Sequence, residues 1–348
     1  MGNNGLQGPA AGKAVEHSVT LSTFQMSEAE ITNAQYLEFL NAAFNKGLVS
    51  VTTGTSGADK DKKIIVGTAS SSYSGKVLYS LDGTRVMKDH NNTDGDNNAF
   101  SGKIEPENPL NIAYIGYDSS KSESPFYVKD PHSATDFHWY NLCTYNDFAE
   151  GVAHTGSSSG SVNDFSSWSE LSGWSESNPS AAASLPTKAT ISSWPATFIR
   201  WWGARAFALF YDVNLPSEAQ WEYAAKGGNN YTYAVYNGTD TSDANWNQTG
   251  AKTATGHVRE AISGKANPFG LYNLGGNAWE WIEDNYKAYD STTVTDPVVY
   301  VPGSTTRSWR GGSWNYHQAT LESSGRYSDD EDRGNDHFGF RIVIDTNR

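Results

Sequence analysis

From Phe269 to Trp281 the chain reads Phe-Gly-Leu-Tyr-Asn-Leu-Gly-Gly-Asn-Ala-Trp-Glu-Trp. The glycines allow a tight backbone path here, and Trp279 and Trp281 can anchor that path on a core. A chain organised around such a turn suits a loop-rich fold held together by aromatic packing. The composition agrees: 13% of residues are aromatic, with 12 Trp and 19 Tyr, and glycine reaches 33, while only 18% are charged. A helical bundle would carry more Leu, Lys and Glu.

Helices are few and well signalled. Thr32-Asn33-Ala34-Gln35 is a capping box: the hydroxyl serves the first free amides, and Gln follows three residues later. Tyr36, Phe39, Leu40 and Ala43 then share one face, and Gly47 stops the helix. Ser217 with Gln220 repeats the box, Ala219, Tyr223 and Ala224 follow at helical spacing, and Gly227-Gly228 ends it. Two further helices are expected over Trp139–Glu150 and Trp201–Tyr211. A strand is expected over Ser18–Phe24, with short strands at Lys63–Gly67, Val77–Leu81 and Leu110–Tyr117. The spacing predicts a flexible leader over 1–16 and one domain over 17–348, with surface insertions near 49–135 and 155–192, the second rich in Ser, Gly and Ala.

The formal charge of −14 and the lack of any run of Lys or Arg exclude a nucleic acid or an anionic membrane surface as partner. No stretch approaches the roughly 20 apolar residues of a membrane span. The single cysteine, Cys143, cannot build a disulfide framework, and its aromatic surroundings read as those of a buried small hydrophobe. The N-terminus carries no signal peptide, and an exported chain whose signal or lipid anchor had been removed would look the same. The eight histidines form no metal-spaced pair. Asp89 to Asn98 reads as a solvated turn, and no Gly-x-Ser-x-Gly elbow occurs in a strand-to-helix setting.

Four segments, in order, carry a resemblance: Glu30 to Tyr36, Leu215 to Ala224, Phe269 to Trp281, and Arg310-Gly311-Gly312-Ser313-Trp314 with Gly339-Phe340-Arg341. Together they resemble the formylglycine-generating-enzyme (sulfatase-modifying-factor) superfamily. The resemblance implies an α+β, loop-rich C-type lectin fold and covers about 17–47 and 190–348 well. It further implies a structural calcium site on Asn273, Gly276, Ala278 and Glu280; the residues alone also allow a glycine turn with Glu280 bonded to backbone amides. Arg310 and Arg341 are expected to hold loops. The superfamily's oxidase uses two cysteines, and the matching positions here are Tyr316 and Leu321. Without sulfur ligands there is no copper, so the resemblance implies a catalytically inactive relative.

Between the two framework strands, Asn315 to Phe338 is rich in Tyr, Ser, Asp, Asn, His and Gly. That composition resembles an antibody-type paratope and the segment that retroelements diversify in variable proteins of the Treponema type. Randomised Asn-type codons reach Tyr, His, Asp and Ser but not Gln318, Glu322 or Glu331, which are expected to be fixed or to be exposed framework. The variable binding segment is placed at 309–338, with contacts from Tyr316, His317, Ser323, Tyr327, Asp329, Asp330, Asn335, Asp336 and His337; Trp309 reads equally as a flanking aromatic anchor or as core. Six acidic residues against two arginines, a net of −4 from Asn315 to Phe338, favour a basic or polyhydroxylated partner. The expected role is a monomeric cell-surface or extracellular receptor for a protein or glycan on another cell or host. A fixed-sequence cell-envelope lipoprotein and a metal-dependent oxidase of the same superfamily are the alternatives.

Overall fold

The computed structural model describes residues 1–3, 15–82, 113–130, 186–246, 257–289, 292–314, 316–334 and 336–346. The expected Trp139–Glu150 helix, Cys143, the Asp89–Asn98 turn, Asn335 and most of 155–192 lie outside those residues.

Helix α1 (Asn33–Asn45) forms where its capping box predicts, with Thr32 accepting from the Gln35 N–H and Gln35 returning to the Thr32 N–H at 2.9 Å. Its Tyr36, Phe39, Leu40 and Ala43 are fully buried. They pack against α3 (Trp201–Phe210), where the Tyr36 and Phe207 rings stack 6.2 Å apart. Between them, α2 (Lys188–Ser193) begins at a Thr187 cap, and Asn33 donates to its Ile191 carbonyl at 2.9 Å. Helix α4 (Glu218–Ala225) opens on the second capping box, Ser217 with Gln220.

The expected strand over Ser18–Phe24 is two strands. β1 (Val19–Thr20) pairs in parallel with β9 (Val294–Thr295), and β2 (Phe24–Met26) pairs antiparallel with β13 (Val343–Asp345). The break has a local cause: Asp296 takes both the Ser22 backbone N–H and its hydroxyl, each at 2.7 Å, so that N–H is lost to a sheet.

β3 (Val49–Thr53), β4 (Lys63–Gly67) and β5 (Val77–Ser80) form an antiparallel sheet. Val49, Ile65, Leu78 and Tyr79 join the core of α1 and α3, so this part of the 49–135 stretch is interior. Gly203 permits the closest approach, because a Cβ there would overlap the Leu78 carbonyl. β6 (Ile115–Tyr117) and β7 (Phe126–Val128) pair beside α1.

The central sheet has the order β11-β10-β8-β12. β8 (Trp279–Asn285) lies between antiparallel β10 (Thr306–Arg310) and parallel β12 (Phe338–Gly339), and β11 (Tyr327–Asp330) is the outer strand beyond β10. Trp281 stacks on Phe338 at 4.9 Å beneath this sheet. The turn before β8 needs its glycine: Gly276 has φ +86°, and a Cβ there would press on the Asn245 carbonyl. The result is the α+β, loop-rich fold expected. No helix among the described residues is long and apolar enough to cross a membrane.

Candidate functional site

The C-terminal segment rests on buried guanidinium–carboxylate pairs. Arg310, at the end of β10, is fully buried, and its Nε meets Glu218 at 3.0 Å and its Nη2 meets Glu222 at 3.0 Å. Glu218 and Glu222 stand one turn apart on α4, which puts both carboxylates on one face. Arg310 also donates to the carbonyls of Ser323 (3.3 Å) and Gly325 (2.9 Å) and to the Tyr289 hydroxyl (2.8 Å). Arg326 comes back onto Glu218 at 2.9 and 2.5 Å and lies over the Tyr289 ring at 3.4 Å. Two arginines thus tie the segment to α4 from inside. The expectation that Arg310 holds loops matches this geometry.

Arg341 does the same for the turn before β8. Its Nε and Nη2 grip Glu280 at 2.7 Å each, and it also reaches the Ser27 (3.2 Å) and Tyr272 (2.8 Å) carbonyls. Trp221 adds an indole N–H to Glu280 at 2.7 Å. Beside them Glu30 accepts from the Ala278 N–H (3.1 Å) and the Asn277 amide (3.0 Å).

These contacts test the calcium set. Asn273 accepts from Arg259 at 3.3 Å and donates to the Glu260 and Ala261 carbonyls at 3.3 and 2.9 Å. Glu280, the only carboxylate of the four, already holds a guanidinium with both oxygens and has no exposed surface. A dication there would sit against Arg341, and hard cations need oxygen ligands free to turn inward. Asn273, Gly276, Ala278 and Glu280 therefore do not fit calcium in this arrangement. The melting temperature is expected to be the same with 5 mM calcium as with 5 mM EGTA; a drop of several degrees in EGTA contradicts the fit argument.

The same carboxyls give a pH dependence. Burial, reinforced by the Glu280 charge, pushes Glu30 up to about 8. Burial, reinforced by Glu218, pushes Asp284 up to about 8 as well. A raised carboxyl keeps its proton in the folded chain after the unfolded chain has released it, so stability falls as pH rises from the ordinary carboxylate range toward 8. Glu222 runs the other way: burial would raise it, but Arg310 and Lys226 outweigh burial and hold it down to about 2. Its contribution is complete above the ordinary range and is lost as pH falls toward 2. Thermal unfolding is expected to peak at mildly acidic pH, about 4 to 5, and to be lower at about pH 8. A peak above neutrality would contradict these assignments.

Over this framework the expected contact residues divide into two groups. Trp309 is 8% exposed and packs between Trp279 (4.3 Å) and Phe338 (4.6 Å), so it is core. Ser323 is 1% exposed; its hydroxyl donates to the Tyr231 carbonyl and, at 3.2 Å, to that of Thr232. His337 is also 1% exposed and bonded to Asp336 at 2.8 Å. These three brace the segment from inside and present little surface to a partner.

Of the others among the described residues, Asp330 is exposed and the rest are half-buried. Half-buried Tyr316 sits between Trp279 (5.2 Å) and His337 (5.5 Å), and Tyr327 on β11 meets Trp279 at 4.9 Å. Half-buried His317 opens the short turn Gln318–Leu321, its carbonyl accepting the Thr320 N–H at 3.0 Å. Asp329 pairs with Arg333 at 3.2 Å, and exposed Asp330 accepts from the Thr305 hydroxyl at 2.7 Å. Asp336 is half-buried. Of the three positions expected to be fixed, Glu322 and Glu331 are buried, Glu331 against Lys76 (2.7 Å) and Arg307 (3.5 Å). Gln318 is exposed and donates to Thr241 at 2.9 Å.

Sequence reasoning missed Trp279 as the hub beneath Tyr316 and Tyr327, reading it only as an anchor of its turn. It also missed Glu218, Glu222 and Arg326 as the underside of the segment. The capping motif on α4 marks where Glu218 and Glu222 start a helix, but nothing in it says which partners face them.

The sulfatase-modifying factor enzyme 1-like domain matches residues 119–346. A serine/threonine-protein kinase pkn1 of Chlamydia caviae is 31% identical over 154 residues, covering 43% of this chain and 24% of that protein. A formylglycine-generating enzyme of Streptomyces coelicolor is 30% identical over 167 residues, 43% of this chain and 52% of the enzyme. The chain thus spans between a quarter and about half of the length of these relatives. Among solved structures, Treponema denticola variable protein 1 superposes with a TM-score of 0.39 at 20% identity, over 45% of this chain and 73% of that one.

Proposed function

Because the chain belongs to the sulfatase-modifying factor enzyme 1-like family, we propose that it is a non-catalytic member that binds external partners. Its binding face is the surface formed by Tyr316, His317, Tyr327, Asp329, Asp330 and Asp336, and a retroelement diversifies that face. The observation that carries the reading is the sorting of one segment into two sets. Residues that point inward (Ser323, Arg326, Glu331, His337) hold buried hydrogen bonds or ion pairs, while the polar and aromatic residues between them reach solvent. Apart from Asp336, which bonds buried His337 at 2.8 Å, such a surface can change its side chains without disturbing what folds it. Tyr supplies contact area at low entropic cost, and the carboxylates favour a basic or polyhydroxylated partner on a cell or host surface.

The oxidase reading lacks its chemistry. Where the oxidase resemblance needs cysteines, Tyr316 packs its ring on Trp279 and Leu321 is fully buried, and neither can bind a soft metal.

Two libraries test the proposal. One randomises the six surface positions; the other randomises Ser323, Arg326, Glu331 and His337. The first is expected to stay folded in most members and to yield binders on selection. The second is expected to unfold in most members, since each change strips a buried polar partner at about 1–3 kcal/mol. Equal intolerance in both libraries would remove the basis for a diversified face.

A further inference from the structure

We propose that this protein holds a second ligand site, for a neutral polyhydroxylated molecule such as a saccharide, at the opposite end of β8 from the Tyr316 face. Trp279, which touches Tyr316, starts β8, and Glu283 lines a cavity four residues further on, about 13 Å along the strand. The proposal stands on its own residues and does not depend on the Tyr316 face being a receptor.

The cavity holds about 330 Å³, inside the range of about 300–1,000 Å³ of small-ligand sites. Its wall combines Arg205 from α3, Asn214, Gln220 from α4, Glu283, Asp296 and Asp345 from β13. These groups are fixed by one another before any ligand arrives. Asp345 accepts from Gln220 at 2.8 Å and from Asn214 at 3.2 Å; Asp296 is held by Ser22 at 2.7 Å twice; Arg205 faces Glu283 at 3.4 Å. Such preorganisation lowers the ordering cost of binding.

The mixture of groups selects the ligand. An anion would meet three carboxylates. A cation would be drawn to those carboxylates, which outnumber the one guanidinium by two, but it could use neither that guanidinium nor the amide N–H groups of Asn214 and Gln220. A hydroxyl both donates and accepts, so neighbouring hydroxyls on one ring can use both kinds of group at once.

A second groove of about 510 Å³ shares Leu21, Ser22 and Thr23 with this cavity. There Tyr223, 52% exposed, and Phe269, 45% exposed, stack at 5.5 Å with their planes 23° apart. Large aromatic rings kept at the surface offer a flat apolar face beside a polar pocket. That face suits the C–H side of a second sugar ring, so the two grooves together fit an oligosaccharide better than a single small polyol.

Saturation-transfer NMR and calorimetry on the full chain test the site with a panel of neutral hexoses, N-acetylhexosamines and their disaccharides, with spermidine and citrate as charged controls. The expected result is saturable binding of at least one disaccharide. It weakens about tenfold or more in Asn214→Ala and in the solvent-exposed Tyr223→Ala, and is unchanged in Tyr316→Ala. Folding of each variant is checked by thermal melting, and Tyr223→Ala is expected to keep the parent transition. Three results would overturn the proposal: no saccharide saturates the protein, a charged control binds at the Asn214 cavity instead, or saccharide binding is lost in Tyr316→Ala and kept in Asn214→Ala.

Discussion

Arg310→Ala is expected to destabilise the folded chain by about 3–5 kcal/mol, among the largest single-site losses this structure predicts. The guanidinium is fully buried and neutralises Glu218 and Glu222 together, at 3.0 Å each. Removing it leaves two carboxylates in the interior, with Arg326 alone on Glu218 and the Lys226 ammonium alone on Glu222. It also frees the Ser323 and Gly325 carbonyls, so the loss extends into the surface segment. Lysine cannot repair this, because one ammonium cannot span two carboxylates and two carbonyls as the planar fork does. Denaturant unfolding measures the effect, and hydrogen exchange is expected to rise at residues 323–326. A loss under about 1 kcal/mol would mean that the buried pairs are not what holds the segment.

Arg341→Met is expected to cost a similar amount, about 3–5 kcal/mol, for a related reason. It leaves Glu280 fully buried, with only the Trp221 N–H and the nearby Glu30 carboxyl for company. The distinguishing result is the double variant. Glu280→Gln with Arg341→Met removes both charges, and replacing a whole buried pair by uncharged groups is often close to neutral. The double variant should therefore be markedly more stable than the sum of the single losses predicts, with a coupling energy on the order of 1–3 kcal/mol. Strict additivity would show that the two residues do not act as a pair.

The sequence made the regular elements legible where local chemistry decides them. Both capping boxes form, and Lys63–Gly67 is a strand over the expected residues, because a hydroxyl at a helix start or a β-branched run acts within a few residues. It failed where a distant residue decides. Ser22 breaks the first strand because Asp296, far along the chain, takes its N–H. The sheet of β3, β4 and β5 looked like turn-rich surface, yet Ile65 and Tyr79 complete the core beneath α1.

Within the segment, composition alone put Ser323, His337 and Trp309 beside Tyr316 and Asp330. A serine at 1% exposure and an aspartate on an outer strand are the same kind of residue to composition. Only the register of β11 on β10, and the carbonyls of Tyr231 and Thr232 beneath Ser323, separate them. The ion-pair framework was half legible: Arg310 and Arg341 were expected to hold loops, but their partners were not apparent, since nothing in a single chain states which acids a buried arginine meets.

The central claim is a changeable face on a fixed frame, and sequencing the coding region for residues 305–345 across a grown population and its isolates tests it most directly. The account predicts substitutions concentrated at Tyr316, His317, Tyr327, Asp329, Asp330 and Asp336, with Arg310 to Trp314, Ser323, Arg326, Glu331, His337 and Gly339 to Arg341 unchanged. A segment invariant throughout, or substitutions spread equally over the buried positions, would contradict it and leave a fixed-sequence envelope protein as the reading of this chain.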